Sequence, residues 1–219
     1  MHYKTLFAII LSLTFYKNVA QNSKPFEQKN RWLDLGLGFN YANSNLTRFD
    51  NDIPVTGEDL SGLGILVNPK YQVFVLDNYS IGFNIGFGFE SYKNNDIDYK
   101  IFRYDYSVGL QNEYFFNVFK NLIFISGEVV LGFHYINENI SIENAELSGF
   151  DNTYFKSGFN INITTQISKE LNFYIKLSDW ITYLSTNENF YEFEKGLNGN
   201  NGLENFINFP QFGLRYRVF

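Results

Sequence analysis

The chain has 219 residues, of which 45% are hydrophobic, 20% aromatic and 18% charged, and it contains no cysteine. This composition suits one domain, is too apolar for a disordered chain, and excludes a disulfide scaffold, a zinc–cysteine site and a thiol nucleophile. No apolar run approaches the roughly 18–20 residues that a membrane helix needs, so a helical membrane protein is excluded as well.

Residues 1–20 predict a secretory signal peptide. Lys4 gives a positive start, and residues 6–15 form an apolar stretch that is too short to span a membrane as a helix. Ala20 offers a small residue for cleavage. The alternative interpretation is a buried N-terminal helix. We exclude residues 1–20 from the fold.

The remaining chain is acidic. Without Lys4 and Lys17, 15 of the 17 basic side chains remain against 23 acidic ones, a net charge of −8. That balance argues against binding to nucleic acid or to anionic lipid headgroups through a polybasic patch.

Apolar residues alternate with small or polar residues from residue 31 onward. In residues 80–89, SIGFNIGFGF, every odd-numbered residue is Ile or Phe and every even-numbered one is Ser, Gly or Asn. Successive side chains of a strand point to opposite faces, so this pattern predicts a strand with one apolar and one polar face. The pattern predicts eight strands, at 31–41, 61–75, 79–91, 99–116, 122–136, 153–167, 171–184 and 207–219. Near Ser178 and Asp179 the alternation breaks, which predicts a β-bulge.

The connections alternate in length. Residues 77–78, 117–121 and 168–170 are short, and residues 92–98 are intermediate. Long polar loops are predicted at 42–60, 137–152 and 185–206. Short turns at one end and long loops at the other are typical of an up-and-down antiparallel barrel. We therefore predict an all-β, eight-stranded barrel with both termini at the short-turn end.

The apolar face is predicted to point outward into lipid. The interior of an eight-stranded barrel is just wide enough to be filled by side chains, and the Gly-, Ser- and Asn-rich face suits it better than the bulky one. Aromatic residues also gather where a membrane boundary would lie. They are Tyr41, Tyr92, Tyr99, Tyr135 and Tyr183 at one end, and Tyr71, Tyr79, Tyr114, Phe115, Phe116 and Phe173 at the other. The alternatives are a soluble lipocalin-like carrier and a β-sandwich.

Two segments carry a family resemblance. The last eight residues, FGLRYRVF, resemble the closing strand of Gram-negative outer-membrane barrels, and residues 69–83, PKYQVFVLDNYSIGF, are similar to the second hairpin of small OmpA/OmpX-like "porin family" barrels. The resemblance implies location in the outer membrane, with a signal peptide at 1–20, a short periplasmic segment at 21–30 and a barrel at 31–219. It also implies that the barrel-assembly machinery reads the closing strand. The residues implied in that signal are Phe212, Leu214, Tyr216 and Phe219.

The predicted inward face carries charges of both signs. Its members are Asp34, Glu90, Arg103, Asp105, Glu113, Glu128, His134, Lys156, Lys176, Arg215 and Arg217. Charges in a narrow interior need partners, so we predict an ion-pair network that plugs the lumen. Arg215 and Arg217 are expected to pair with carboxylates such as Asp34. The alternative is a narrow, porin-like path for ions or small solutes.

Catalysis has few candidates. His134 is the only histidine after the signal peptide, and Ser126 lies eight residues away on the same predicted strand, at about 26 Å. We predict no catalytic, cofactor-binding or metal-binding residues and no enzyme. A lipid A-modifying outer-membrane enzyme is the second alternative.

The predicted long loops are rich in carboxylates. They carry Asp50, Asp52, Glu58, Asp59, Glu138, Glu143, Glu146, Glu188, Glu192, Glu194 and Glu204. The expected function is therefore structural or surface-interacting, through these loops. Expected partners are outer-membrane lipid and lipopolysaccharide, the barrel-assembly machinery during insertion, and an unidentified surface ligand or envelope protein.

Overall fold

The structure is a computed structural model that describes residues 25–44, 47–50, 53–56, 60–94, 99–142, 145–186, 196–199, 206–207 and 209–218. The predicted signal peptide and Phe219 lie outside these residues, as do most of the loop carboxylates. Among the described residues, no helix is both long enough and apolar enough to cross a membrane.

Eleven strands account for most of the described chain. They are β1 (Arg31–Ser44), β2 (Thr47–Asp50), β3 (Ile53–Thr56), β4 (Leu60–Leu76), β5 (Tyr79–Asn94), β6 (Tyr99–Phe119), β7 (Ile123–Ile142), β8 (Ala145–Gln166), β9 (Leu171–Thr186), β10 (Gly196–Gly199) and β11 (Gln211–Val218). Eight of these strands form the barrel. The hairpin β2–β3 and the short strand β10 belong to the segments predicted as long loops.

The eight strands close into a ring. Neighbouring strands form antiparallel pairs in the order β1, β4, β5, β6, β7, β8 and β9. Strand β9 also pairs with β11, and β11 pairs with β1, which closes the ring. Asp34 lies opposite Arg215 across the final seam. The predicted eight-stranded up-and-down barrel is confirmed, with the start of β1 and the end of β11 at the short-turn end.

The polar face points inward, as predicted. Phe83, Leu131 and Leu214 are 48%, 42% and 47% exposed, whereas Glu128 and Arg215 are fully buried. A closed ring leaves no unpaired sheet edge along the band where the apolar side chains meet lipid, which matters because an unpaired backbone group costs several kcal/mol there. The barrel is thus apolar outside and charged inside.

The predicted loop at 137–152 is wrong. Strands β7 and β8 continue through it, with Ile142 opposite Ala145. The pattern reverses there: Ile136 and Ile140 are buried inward, and Asn139 is exposed on the outer face. Beyond the lipid an antiparallel sheet can wet its outer face, so the apolar-out rule ends where the membrane ends.

Two of the predicted boundary aromatics face inward instead. Tyr92 lies on the inward face of β5 next to the glycine Gly62 on β4, and Phe115 is buried at the short-turn end. Tyr135, Tyr183 and Tyr114 do point outward, at 41%, 45% and 45% exposure. Proximity to a strand end was the wrong criterion for Tyr92 and Phe115, because the parity of the position decides the side.

The predicted bulge is confirmed. Phe159 lies opposite Ile181 and Ile161 opposite Leu177, so three residues of β9 face Asn160 alone. Asp179 has a φ of 59°, and its backbone N–H donates to the Asn160 side-chain oxygen at 2.8 Å. The bulge keeps Ile181 outward and turns Asp179 toward the lumen, where it meets Lys156.

Pro69 lies in the middle of β4 and interrupts the ladder to β5. The pairing passes from Val67–Phe87 to Lys70–Asn84 and omits Asn68 and Pro69. Proline has no N–H to give to the Ile85 carbonyl. The Asn68 side-chain nitrogen donates to that carbonyl at 2.8 Å instead, so the wall stays paired inside the membrane.

This replacement predicts a rescue. Asn68→Ala should lower the free energy of unfolding by about 1–3 kcal/mol, because it leaves the Ile85 carbonyl unpaired. Pro69→Val restores a backbone N–H at the same place, so Asn68→Ala should cost much less in that background. Urea unfolding of the four proteins in micelles measures the cycle. Equal costs in the two backgrounds would contradict the role given to Asn68.

Candidate functional site

The lumen is closed at the short-turn end by the segment 25–30. Phe26 of this segment is buried, and its ring centroid lies 4.0 Å from that of Phe115 and 4.8 Å from that of Phe124. Trp32 and Phe74 complete this aromatic cluster. Five packed rings therefore fill the end of the barrel at which the chain enters the sheet.

The same segment is held to the β4–β5 hairpin by backbone hydrogen bonds. The Lys29 N–H donates to the Phe74 carbonyl and the Asn78 N–H donates to the Phe26 carbonyl, each at 2.7 Å. Phe26 therefore contacts rings from β1, β4, β6 and β7 at once and closes the mouth of the barrel. The predicted short segment before the barrel is thus part of the lumen filling.

Arg215 is the centre of the next layer. Its Nε lies 2.9 Å from Asp34 Oδ2 and its Nη2 lies 3.0 Å from Glu113 Oε2. Its guanidinium also lies over the rings of Phe115 and Tyr174, at 4.8 and 5.1 Å. Two carboxylates and two rings thus hold one fully buried cation.

Glu113 gathers further donors in this layer. The Ser126 hydroxyl donates to it at 2.5 Å, the Asn162 side-chain nitrogen at 2.8 Å and the Gln72 side-chain nitrogen at 3.0 Å. These donors come from three different strands. A fully buried carboxylate is stable only when its oxygens are satisfied in this way.

Glycine is required where the Tyr174 side chain packs against the inner face of β1 and β11. A Cβ on Gly213 would lie 2.2 Å from the Tyr174 ring, and one on Gly36 would lie 3.1 Å from the Tyr174 hydroxyl. The ring therefore fills the space that two glycines leave on β1 and β11. This packing supports the face of Tyr174 on which Arg215 lies.

Glu128 is the centre of a third layer. It forms ion pairs with Lys70 and, at 2.9 Å, with Lys176, and it accepts a hydrogen bond from the Asn160 side chain at 3.1 Å. Glu128 is fully buried and Lys70 nearly so. Taken together, this layer and the Arg215 layer hold three cations and three carboxylates, so the lower lumen is neutral.

Further ion pairs lie nearer the long-loop end. They join Arg103 to Glu138 at 2.9 Å, Arg103 to Glu90 at 3.3 Å, and Lys156 to Asp179 at 3.0 Å. Nδ1 of His134 lies 3.1 Å from Asp105, and the His134 ring stacks on Tyr154 with centroids 4.8 Å apart. The upper lumen is thus also lined by paired charges.

A cavity of about 170 Å³ lies between the Glu128 layer and this upper set of ion pairs. Asp105, Ser107, His134, Lys156, Lys176 and Asp179 line it, among others. The described residues include no group of three or more His, Asp or Glu side chains placed to hold a metal ion.

The structure brings ten of the eleven predicted lumen residues into ion pairs. They are Asp34, Glu90, Arg103, Asp105, Glu113, Glu128, His134, Lys156, Lys176 and Arg215. Arg217 differs: it is half-buried opposite Trp32 and forms no ion pair with another described residue. In the β1–β11 register Asp34 lies opposite Arg215, whereas the residue opposite Arg217 is Trp32, which has no carboxylate.

Sequence reasoning missed three charged partners. Lys70 has the inward parity of β4, so the alternation itself contained the signal. Glu138 was assigned to a loop because the predicted β7 ended too early. Asp179 was not assigned to the inward face, because the direction of a bulged residue does not follow from parity.

An apolar outer surface on a closed sheet around a charged, sealed interior is the arrangement of a barrel that crosses lipid. The chain forms a closed eight-stranded barrel with the apolar-out, polar-in arrangement of a transmembrane β-barrel. Its closing strand exposes Leu214 and Tyr216 outward at 47% and 48%, and Phe212 lies on the same face, half-buried.

Comparison with solved structures finds similar chains at low sequence identity. The chain is similar to Ail, the attachment invasion locus protein of Yersinia pestis, at 10% identity and a TM-score of 0.49, over 87% of this chain and 99% of that one. It is similar to a major outer membrane protein from Thermus thermophilus at 10% identity and a TM-score of 0.49, over 86% of this chain and 99% of that one. It is similar to OprG from Pseudomonas aeruginosa at 9% identity and a TM-score of 0.47, over 89% of this chain and 98% of that one.

No protein-family model matches the sequence, and no curated protein matches it. The structural likeness concerns the fold alone. The strand number, the closed ring and the outward apolar face of this chain agree with the resemblance to small outer-membrane barrels drawn from its closing strand and second hairpin.

The two arginines of β11 provide a matched test of the plug. Arg215→Gln should lower the free energy of unfolding by about 3–5 kcal/mol, because it leaves Asp34 and Glu113 buried without their cation. Arg217→Gln removes the same charge from the same strand and should cost less than about 1 kcal/mol. Urea unfolding of both variants measures the difference, and equal losses would contradict the central place of Arg215.

Phe26 provides a test of the closure at the short-turn end. Phe26→Ala should lower the free energy of unfolding by about 3–5 kcal/mol, because it opens a cavity among four rings. Glu27→Ala, at the next residue and on the exposed side of the same segment, is the control and should change it little. If the two variants unfolded alike, the segment would not be part of the lumen filling.

Proposed function

We propose that this protein is an integral outer-membrane barrel with a plugged lumen, and that it acts at the cell surface as a structural or surface-binding protein. The observation that carries the proposal is the sealed lower lumen. The Phe26 cluster, the Arg215 layer and the Glu128 layer lie one above the other, and Phe26, Arg215 and Glu128 are all buried. A barrel filled in this way is better suited to holding a binding surface in the membrane than to transporting solutes.

A protruding sheet supports the surface role. Strands β6, β7 and β8 have 21, 20 and 22 residues, whereas about 9–11 tilted residues suffice to cross the hydrocarbon. Residues 145–153 of β8 extend the hairpin with β7 beyond the last described β8–β9 pair, Tyr154 opposite Thr186, and we propose that this hairpin presents the binding surface.

The proposal includes export and assembly. Residues 1–20 would direct export and be removed near Ala20, and the barrel-assembly machinery would insert the chain through its closing strand. Outer-membrane lipid and lipopolysaccharide would surround the apolar band. The acidic loops would face the exterior, where an unidentified surface ligand or envelope protein is the expected partner.

We propose no catalytic role for His134. Its ring lies inside the barrel between Asp105 and Tyr154, whereas an enzyme that modifies lipid A would need its base near a lipid-accessible wall. We therefore propose that the protein does not modify lipid A, and unchanged lipid A on overexpression is the expected result.

Planar-bilayer recording tests the plug against the porin-like alternative. The barrel should give no reproducible conductance steps, because two layers of buried ion pairs block the lumen. Phe26→Ala should be equally silent, since both charged layers remain. Discrete, reproducible steps from the unaltered protein would favour a narrow pore.

Shortening the β7–β8 hairpin tests the surface role. Glu138 and Phe150 lie opposite each other, so replacing residues 139–149 with an Asn-Gly turn keeps the barrel register. We expect unchanged heat-modifiable gel mobility and a loss of adhesion when cells with equal amounts of folded barrel are compared on protein-coated surfaces. Undiminished adhesion would contradict a role for this hairpin.

A further inference from the structure

We propose that the upper-lumen cavity binds a small zwitterion, a solute carrying both an ammonium and a carboxylate group. The proposal goes beyond the surface role, since a barrel sealed below can still hold a solute that enters from above. It rests on a difference between the two walls of the cavity.

The wall formed by β4, β5 and β6 offers acceptors. The Asn68 side-chain nitrogen is occupied by the Ile85 carbonyl at 2.8 Å, and that of Asn84 faces the Gln111 side-chain oxygen at 3.5 Å. Their amide oxygens are left to accept. Asp105 completes the wall, and among the described residues its polar contacts are His134 and the Tyr154 hydroxyl, with no lysine or arginine.

The wall formed by β8 and β9 carries two lysines, which are cationic donors, and one carboxylate, Asp179. Lys156 contacts Asp179 at 3.0 Å and Lys176 contacts Glu128 at 2.9 Å. An ammonium group has three N–H donors, so each lysine keeps donors for an incoming carboxylate. Glu128 is moreover shared between Lys176 and Lys70.

The two walls are distinct, because β7 lies between β6, which carries Asp105, and β8, which carries Lys156. A simple anion would use the spare lysine donors and leave the spare acceptor positions of Asp105 unused, and a simple cation would do the reverse. A zwitterion matches both walls and adds no net charge to a partly buried site, where an unpaired ion is costly. A cavity of about 170 Å³ has the size of cavities known to hold one benzene-sized molecule.

Chemical-shift titration of the labelled barrel, extracted from membranes into micelles, tests this proposal. The probes are glycine, methylammonium and acetate at constant ionic strength. We expect saturable shifts with glycine at the amides of Ser107 and Gly158, and at least about tenfold weaker binding of the two singly charged probes. Equal binding of methylammonium or acetate, or no saturation with glycine, would overturn the proposal.

Variants assign the two ends of the solute. Asp105→Asn and Lys156→Gln should each weaken glycine binding about tenfold or more, since each removes a charge-assisted hydrogen bond. Asp151→Asn, on the exposed outer face of β8, is the matched control and should leave binding unchanged. Heat-modifiable mobility shows that each variant is folded. Undiminished binding to folded Asp105→Asn would also overturn the proposal, without bearing on the sealed lower lumen.

Discussion

The requirement that the backbone groups inside the membrane and the charges inside the barrel find partners within the protein governs this structure. In lipid the backbone can be satisfied only by closing the sheet, and closing eight strands creates an interior that side chains must fill. That interior is out of reach of bulk water, so each charge placed there needs a counter-charge. Three features follow from this one constraint: the closed ring of strands, the neutral lower lumen, and the Asn68 side chain that donates to the Ile85 carbonyl in place of the N–H that Pro69 lacks.

The filling is arranged in layers because each strand contributes one inward residue at each level. Arg215 from β11 meets Asp34 on its neighbour and Glu113 from across the lumen. No two of these residues are close in sequence, so the layer exists only once the seam between β1 and β11 has closed. Phe26 acts in the same way with rings from four strands. The lumen contacts therefore stabilise the closed barrel rather than any single hairpin.

The alternation of residue types was sufficient to predict the strand number, the orientation and the inward position of most of the charged residues. The prediction from alternation failed beyond the membrane, where lipid no longer requires the outer face to be apolar. Ile136 and Ile140 point inward because the sheet has left the lipid, and this reversal hid the continuation of β7. Phe26 could not be found at all, since a segment outside the sheet has no parity. Lys70 could have been found, because Gln72 and Lys70 share the inward parity of β4.

The same layering explains how a plugged barrel can still carry a specific site. Below the cavity, each cation and carboxylate of the two charged layers has a partner of opposite charge. Asp105, Lys156 and Lys176 line the cavity from three different strands, and Lys176 reaches it from the Glu128 layer itself. A tube that were polar along its whole length would hold only water. The neutral layers below the cavity would limit how far a solute enters, and the different charged groups on the two walls would orient it.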